Sequence, residues 1–427
     1  MTDLKKIFGG KKVLIWGLGL HGGGLGAAVF FHKLGAKVVI TDLRDKKTLA
    51  PTLKKLAHLK NISYILGEHR EGDFANVDFV VRNPAIKDDN PYLSVARKNK
   101  VPVISDVGLF LQYSPALIIG ITGSKGKSTL TQLIYELLSE AARSQKGKLE
   151  KVKKIFLGGN IRISVFDALE KAKEDDIVVL ELSSFQLDHA SYTKKSPHIA
   201  IVTNLYNEHI NYHGSLKKYE EAKKNILRFQ KKNNLAILNK NLKKWGSLSP
   251  AIKIFFDGTA ERGLLALAEY FGIKREKVEK KLKNFKGLEG RQEIVAKSKK
   301  GVIFINDTTA THPEATIFAL KKFENPILIA GGVDKKFGQE VDALARLIDQ
   351  KKLQVALLPG DFSDRLEKKC RTKFFHASDM EQAVCWAKDR AKPGDIVLLS
   401  PGSASFNLFL NEFDRGEKFV RAIKSCL

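Results

Sequence analysis

The stretch LIIGITGSKGKSTLTQLIYELL, residues 117–138, carries the fold in miniature: an apolar run, a loop of glycine, serine and lysine, then a helical run. Strand, glycine-rich loop and helix in that order form a phosphate cradle, because the loop's amides and the helix N-terminus converge on an anion. In ITGSKGKST the loop residues Gly123, Ser124, Lys125, Gly126, Lys127, Ser128 and Thr129 are candidate contacts to a nucleoside triphosphate. The ammonium of Lys127 would neutralise the β/γ-phosphates and the Ser128 hydroxyl would ligate Mg²⁺. The spacing is a variant, since position 121 is Ile and the preceding glycine is Gly120.

Outward from this loop the same alternation recurs. Short β-branched runs lie at Val13–Trp16, Val38–Thr41, Ile177–Leu182 and Ile199–Asn204, separated by amphipathic segments, which is the pattern of parallel βαβ units. After a lysine-rich helical stretch around Lys277–Phe285 the pattern restarts with VIFIN, PILIA, VALLP and IVLLS. The expected class is α/β in three domains. These are an N-terminal Rossmann-like domain (1–113), a central P-loop ATPase-like parallel sheet (114–289) and a C-terminal Rossmann-like domain (290–427).

Composition agrees with a folded chain: of 427 residues 43% are apolar and 28% charged. The uncharged stretches Val13–His32 and Val107–Ser124 are broken by glycines or Pro115 and are not read as membrane spans. The opening MTDLKKIFGGKK lacks an apolar core, and Cys370, Cys385 and Cys426 show no metal or redox spacing, so the cytoplasm is the expected compartment. Net charge is 73 − 47 = +26, which suggests a polyanionic partner. Only 16 of the 73 basic residues are arginine, however, and the 57 lysines are spread along the chain. That distribution suits a solvated surface and phosphorylated small ligands; no nucleic acid is expected, and a monomer is.

Two further groups carry chemistry. GLGLHG places Gly17, Gly19 and Gly22 in G-x-G-x-x-G register after a strand, with Asp42 ending the next one. By itself this does not distinguish a nicotinamide dinucleotide from another nucleotide. Glu181 follows the apolar run IVVL at the carboxyl end of a parallel strand, where a carboxylate is costly unless it holds a cation. His209 and Lys223 do not stand out on chemistry alone.

Together the segments resemble the Mur ligase family, most closely its D-glutamate-adding type. The carriers are GLGLHG with TDLRD, TGSKGKST, GGNI (158–161), LELSSFQL (180–187), TNLYNEHINYH (203–213), YEEAK (219–223), FKGLEGR (285–291), NDTTAT (306–311), GGVDKK (331–336), and LLSPGSASFNLF followed by FDRG (413–416). The resemblance implies an ATP-dependent, amide-forming ligase with UDP-N-acetylmuramoyl-L-alanine and D-glutamate as substrates. Gly17, Leu20, His21, Asp42 and Arg44 would then lie near the UDP group rather than NAD. Ser128 and Glu181 would hold one Mg²⁺, His209 and a carbamylated Lys223 a second, with Asn160 beside the reacting groups. The C-terminal domain would swing in, bringing Arg291 and Asp307 to ATP and substrate, and Thr311, Lys335 and Ser405 to the amino acid.

The chain departs from the family pattern at Thr309, where the family has lysine, at Gly290, where it has histidine, and at Glu208-His209-Ile210-Asn211 in place of D-H-x-D. IFFDGTAERGLL (254–265) replaces a G-x-H-N segment that contacts the nucleotide. Other readings are a ligase for L-glutamate or another amino acid, a non-catalytic nucleotide-binding relative, and an NAD-dependent dehydrogenase, which would leave the phosphate loop unexplained.

Overall fold

The computed structural model describes residues 2–20, 22–144, 147–160, 164–206, 210–285, 287–334, 337–405 and 408–427. The candidate residues His21, His209 and Lys335 lie outside this set. The chain forms two compact units, Met1–Asn284 and Phe285–Leu427.

The first unit contains two sheets. One has strands β1 (Lys12–Trp16), β2 (Lys37–Asp42), β3 (Ile62–Leu66), β4 (Phe79–Arg82) and β5 (Val103–Ile104), in the order β3-β2-β1-β4-β5. The other has β6 (Leu117–Thr122), β7 (Ile155–Gly159), β8 (Ile177–Glu181), β9 (Ile199–Val202), β10 (Leu235–Asn239) and β11 (Ile252–Phe256), in the order β11-β10-β9-β6-β8-β7. Every pairing in both is parallel. β6, β8, β9 and β10 are buried nearly throughout, as strands covered by helices on both faces must be. Phe30 and Phe31, on the helix Gly23–Lys33, pack against Phe166 of the helix Val165–Lys171, joining the two sheets' helical layers.

The second unit has β12 (Glu293–Lys297), β13 (Ile303–Asn306), β14 (Ile327–Gly331), β15 (Val355–Leu358), β16 (Phe375–His376) and β17 (Ile396–Leu399), in the order β12-β13-β17-β14-β15-β16. All pairs are parallel except the edge pair β12 with β13, which is antiparallel. In each sheet the strand order reverses beside a central strand, and there the loops leaving neighbouring carboxyl ends diverge and open a crevice.

The cysteine reading needs correction. Cys385 and Cys426, 41 residues apart, form a disulfide with Cα atoms 5.5 Å apart. The pair arises because the helices Met380–Arg390 and Glu412–Cys426 pack together, a proximity that sequence spacing cannot report. Cys370 is free, and burial pushes its thiol up to about 12. No helix among the described residues is long and apolar enough to cross a membrane.

Candidate active site

The phosphate loop between β6 and the helix Lys127–Ala142 is held by side chains from far along the chain. Gly123 has φ +147°, and a Cβ there would stand 1.9 Å from Thr203 Oγ1, so only glycine lets β6 turn so close to the end of β9. Asn204 Oδ1 accepts from the Ser124 and Lys125 amides at 3.1 and 2.8 Å. Ser124 Oγ meets the Tyr219 hydroxyl at 2.9 Å, and Thr203 Oγ1 donates to the Lys125 carbonyl at 2.8 Å. Gly126, in the left-handed region, caps the helix and presents its N-terminus to the loop. Lys127 Nζ donates to the Ser124 carbonyl at 2.7 Å, folded over its own loop, while Ser128 is buried and Thr129 half-buried.

Glu181, at the end of β8, is 1% exposed. Its Oε1 accepts from Asn160 Nδ2 at 2.9 Å, whereas the buried Oε2 has no hydrogen-bond partner among the described residues. An orphaned, buried carboxylate oxygen is expensive and suits a cation. Gly159 makes the approach possible, since a Cβ there would lie 2.1 Å from the Glu181 carbonyl. Lys223, equally buried, reaches in from the helix Leu216–Arg228 and donates to the Gly123 carbonyl at 2.8 Å. Lys127, Ser128, Asn160, Glu181 and Lys223 are thus all borne at or against the carboxyl ends of β6, β7 and β8. Among the described residues no three His, Cys, Asp or Glu cluster as a self-sufficient metal cage. One carboxylate and one hydroxyl instead fit Mg²⁺, which keeps waters and takes substrate phosphates.

In the first sheet the turn after β1 is rigid. Gly17 has φ +93° and abuts Asn83 at the end of β4. Asp42 is buried, and its two oxygens accept from the Gly19 and Arg44 amides, each at 2.9 Å. Arg44 is half exposed with its Nη1 3.6 Å from Asp42 Oδ2, and Leu20 is half-buried.

β11 passes directly into the helix Ala260–Tyr270 through Asp257-Gly258-Thr259. A Cβ on Gly126 would lie 3.0 Å from that of Ala260, so this helix begins against the phosphate loop. Asn239 Nδ2 donates to the Gly258 carbonyl at 3.0 Å, fixing the connection.

In the second unit, Asp307 follows β13 and is buried. Burial pushes its carboxyl up to about 7, against the opposing pull of the Ser400 hydroxyl, the Gln292 amide and the Arg291 charge. Arg291 itself is exposed. The departures Thr309 and Gly290 touch: the Gly290 carbonyl accepts from Thr309 N at 3.0 Å and from Thr309 Oγ1 at 2.9 Å. Gly290 has φ +67°, and a Cβ would come within 2.7 Å of Thr308 Cγ2, so a histidine there would be strained.

Thr311 and Ser405 are drawn toward one end of this sheet. Gly402 N donates to the Ala310 carbonyl at 2.8 Å, and Val333 and Ala404 exchange two backbone bonds at 3.0 and 3.1 Å. Arg415, fully buried, ties the turns together by donating to the Thr308 carbonyl at 2.9 Å and the Ser403 carbonyl at 3.1 Å. The roles of Arg415 in FDRG, of Asn204 and of Tyr219 emerge only in the structure. Asn204 has a local signal in its place just after β9, whereas Tyr219 and Arg415 sit inside the helices Leu216–Arg228 and Glu412–Cys426.

Asp307 also sets a stability prediction. A carboxyl raised in the fold contributes stability in full below pH 4 and loses it as pH rises through about 7. Wild type should therefore lose about 4 kcal/mol from this group between pH 4 and pH 7. Asp307→Asn should remove that slope, because the Ser400 hydroxyl can turn to accept from the new amide. Urea unfolding of both proteins across this range checks it; parallel pH profiles would refute the assignment.

Comparison with known proteins completes the description. Residues 11–105 match the Mur ligase MurD-like N-terminal domain, 121–306 the Mur ligase middle domain, and 290–402 the Mur ligase glutamate ligase domain. A UDP-N-acetylmuramoylalanine–D-glutamate ligase of Roseiflexus sp. (strain RS-1) is 35% identical over 474 residues, covering 97% of this chain and 99% of the relative. One of the same name from Clostridium tetani is 32% identical, covering 99% of each. Among solved structures, MurF ligase from Thermotoga maritima in complex with ADP shares the fold with a TM-score of 0.56 at 17% identity, covering 100% of this chain and 99% of that one. MurF from Acinetobacter baumannii gives 0.55 at 15% identity, covering 100% and 92%.

Proposed function

Because the chain belongs to the Mur ligase family, we propose that it adds D-glutamate to UDP-N-acetylmuramoyl-L-alanine, driven by ATP, in the synthesis of peptidoglycan precursors. The observation that carries this reading is the convergence of Lys127, Ser128, Lys223 and the orphaned Glu181 oxygen around one phosphate loop. A carboxylate is a poor acyl donor. The γ-phosphoryl of ATP moves to the alanyl carboxylate to give an acyl phosphate and ADP. The glutamate amine then attacks the acyl carbon, loses a proton, and phosphate leaves.

The loop amides and Lys127 bind and orient the triphosphate and oppose charge on its oxygens. Ser128 and Glu181 would hold one Mg²⁺, with His209 and Lys223 serving a second; bound there, magnesium offsets phosphate charge and fixes the geometry of transfer. Carbamylation would turn Lys223 from a cation into an anion able to serve such a site. Gly17, Leu20, His21, Asp42 and Arg44 take the UDP group. Asn160 serves beside the reacting groups, and Arg291 and Asp307 serve ATP and substrate. Thr311, Lys335 and Ser405 receive glutamate, whose two carboxylates call for an ammonium and hydroxyls. Segments 1–113, 114–289 and 290–427 divide these tasks.

The test is phosphate release from ATP with Mg²⁺ and UDP-N-acetylmuramoyl-L-alanine, run with D-glutamate, L-glutamate or no amino acid, with product masses recorded. Release that requires D-glutamate, with a product heavier by one glutamyl residue, is expected. Dependence on L-glutamate, or no release from the folded protein with either, would overturn the proposal.

A further inference from the structure

The helix Glu412–Cys426 meets the end of β13 at very short range. A Cβ on Gly416 would stand 2.9 Å from both Asn306 Nδ2 and Thr308 Cγ2, so a residue without a side chain is what lets the helix come so near. Its first turn is fixed by Asn411, whose Oδ1 accepts from the Phe413 and Asp414 amides at 2.9 and 3.0 Å, and Thr308 Oγ1 donates to the Glu412 carbonyl. This approach carries Arg415, one residue before Gly416, beneath the turns that leave β13 and β17.

The Arg415 guanidinium is spread over both turns. Nε donates to Thr308 Oγ1 at 3.2 Å and Nη2 to the Thr308 carbonyl at 2.9 Å, while Nη1 donates to the Ser403 carbonyl at 3.1 Å. All three acceptors are neutral. A fully buried guanidinium with neutral partners is costly, and methionine would fill the same space without the charge, so packing alone does not account for it. A planar fork suits the span, whereas a lysine ammonium in its place would not hold both turns with fixed geometry. The turns also meet where Gly402 N donates to the Ala310 carbonyl at 2.8 Å. They are thus laced at two points, and within three residues of the Arg415 contacts one turn reaches Thr311 and the other Ser405. Without the fork, one lace is left about which the turns can shift.

We propose that Arg415 is a positioning residue for the amino-acid acceptor: by bridging Thr308 and Ser403 it sets the separation of the turns that offer Thr311 and Ser405 to glutamate. The inference rests on the reading of Thr311 and Ser405 as acceptor-site residues.

The experiment measures kcat, and KM for D-glutamate, ATP and UDP-N-acetylmuramoyl-L-alanine, in wild type, Arg415→Met, Arg415→Lys, Thr311→Ala and Ser405→Ala, with thermal unfolding as the control for folding. In Arg415→Met the KM for D-glutamate should rise ~20-fold, with the other two KM values within about 2-fold of wild type. Arg415→Lys, which keeps the charge but loses the fork, should raise it ~5-fold; as the milder change it carries the test if the methionine variant does not fold. In the Ser405→Ala background Arg415→Lys should raise the KM no further, because Arg415 acts through the turn that holds Ser405. An unchanged D-glutamate KM in folded Arg415→Lys, an equal rise in all three KM values, a fall in kcat alone, or additive effects in the double variant would overturn the proposal. If neither Thr311→Ala nor Ser405→Ala raises the D-glutamate KM, the acceptor reading falls and the inference with it; if they raise it and Arg415→Lys does not, the inference alone falls.

Discussion

Replacing Lys127 by alanine should lower the turnover of ligation by about three orders of magnitude and leave the fold in place. The side chain reaches back over the loop to the Ser124 carbonyl, 2.7 Å away, from the first residue of a helix whose N-terminus faces the loop. The glycine conformations and the Asn204 clamp shape the loop independently of Lys127. Loss of the hydrogen bond from this half-buried ammonium to the Ser124 carbonyl costs about 1–2 kcal/mol of stability. Catalysis loses a positive charge beside phosphate oxygens that become more crowded as the phosphoryl group moves. Single-turnover kinetics with thermal unfolding as a control measures both effects. Turnover within tenfold of wild type, in a protein of unchanged melting temperature, would remove Lys127 from the proposed site.

The second large effect is at Lys223. An ammonium 1% exposed carries a desolvation cost of several kcal/mol, offset here by the Gly123 carbonyl at 2.8 Å, the Thr122 hydroxyl at 3.4 Å and the Tyr219 ring at 4.7 Å. A residue kept for packing alone would be better replaced by methionine, which fills the same space without the charge. Lys223→Met should therefore lower turnover by a factor of ~10³ or more while leaving the melting temperature equal to wild type or higher. Lys223→Gln, which retains a donor for Gly123, should be equally inactive. Loss of more than about 3 kcal/mol of stability in both variants would make the lysine structural. Near-normal turnover in either folded variant would end its role in the reaction.

These expectations draw on two kinds of information. The phosphate loop was legible because its parts are contiguous: an apolar strand, glycines for positive φ, a lysine, a hydroxyl and a helix follow one another within Ile121–Thr129. The run Leu117–Thr122 is β6 to the residue, and Ile177–Leu182 overruns β8 by one. Strands without a long apolar run escaped. β3, with its middle residues exposed, and the edge strands β12 and β16 have weak or short patterns. β10 is buried along its whole length, but it follows a lysine-rich stretch directly and was not separated from it.

What the sequence by itself determined is the set of chemical groups and the sheets that carry them, since strand periodicity and loop composition act over ten or twenty residues. Tertiary structure alone decided what holds those groups in place. Asn204 and Tyr219 meet the phosphate loop across 80 and 95 residues of chain, and Arg415 meets Thr308 across 107. The contact of Thr309 with Gly290 and the Cys385–Cys426 pair were equally invisible. A side-chain hydrogen bond or disulfide between distant segments leaves no period in the sequence; it exists only after the fold brings the carboxyl ends of parallel strands to one edge and packs the covering helices against one another.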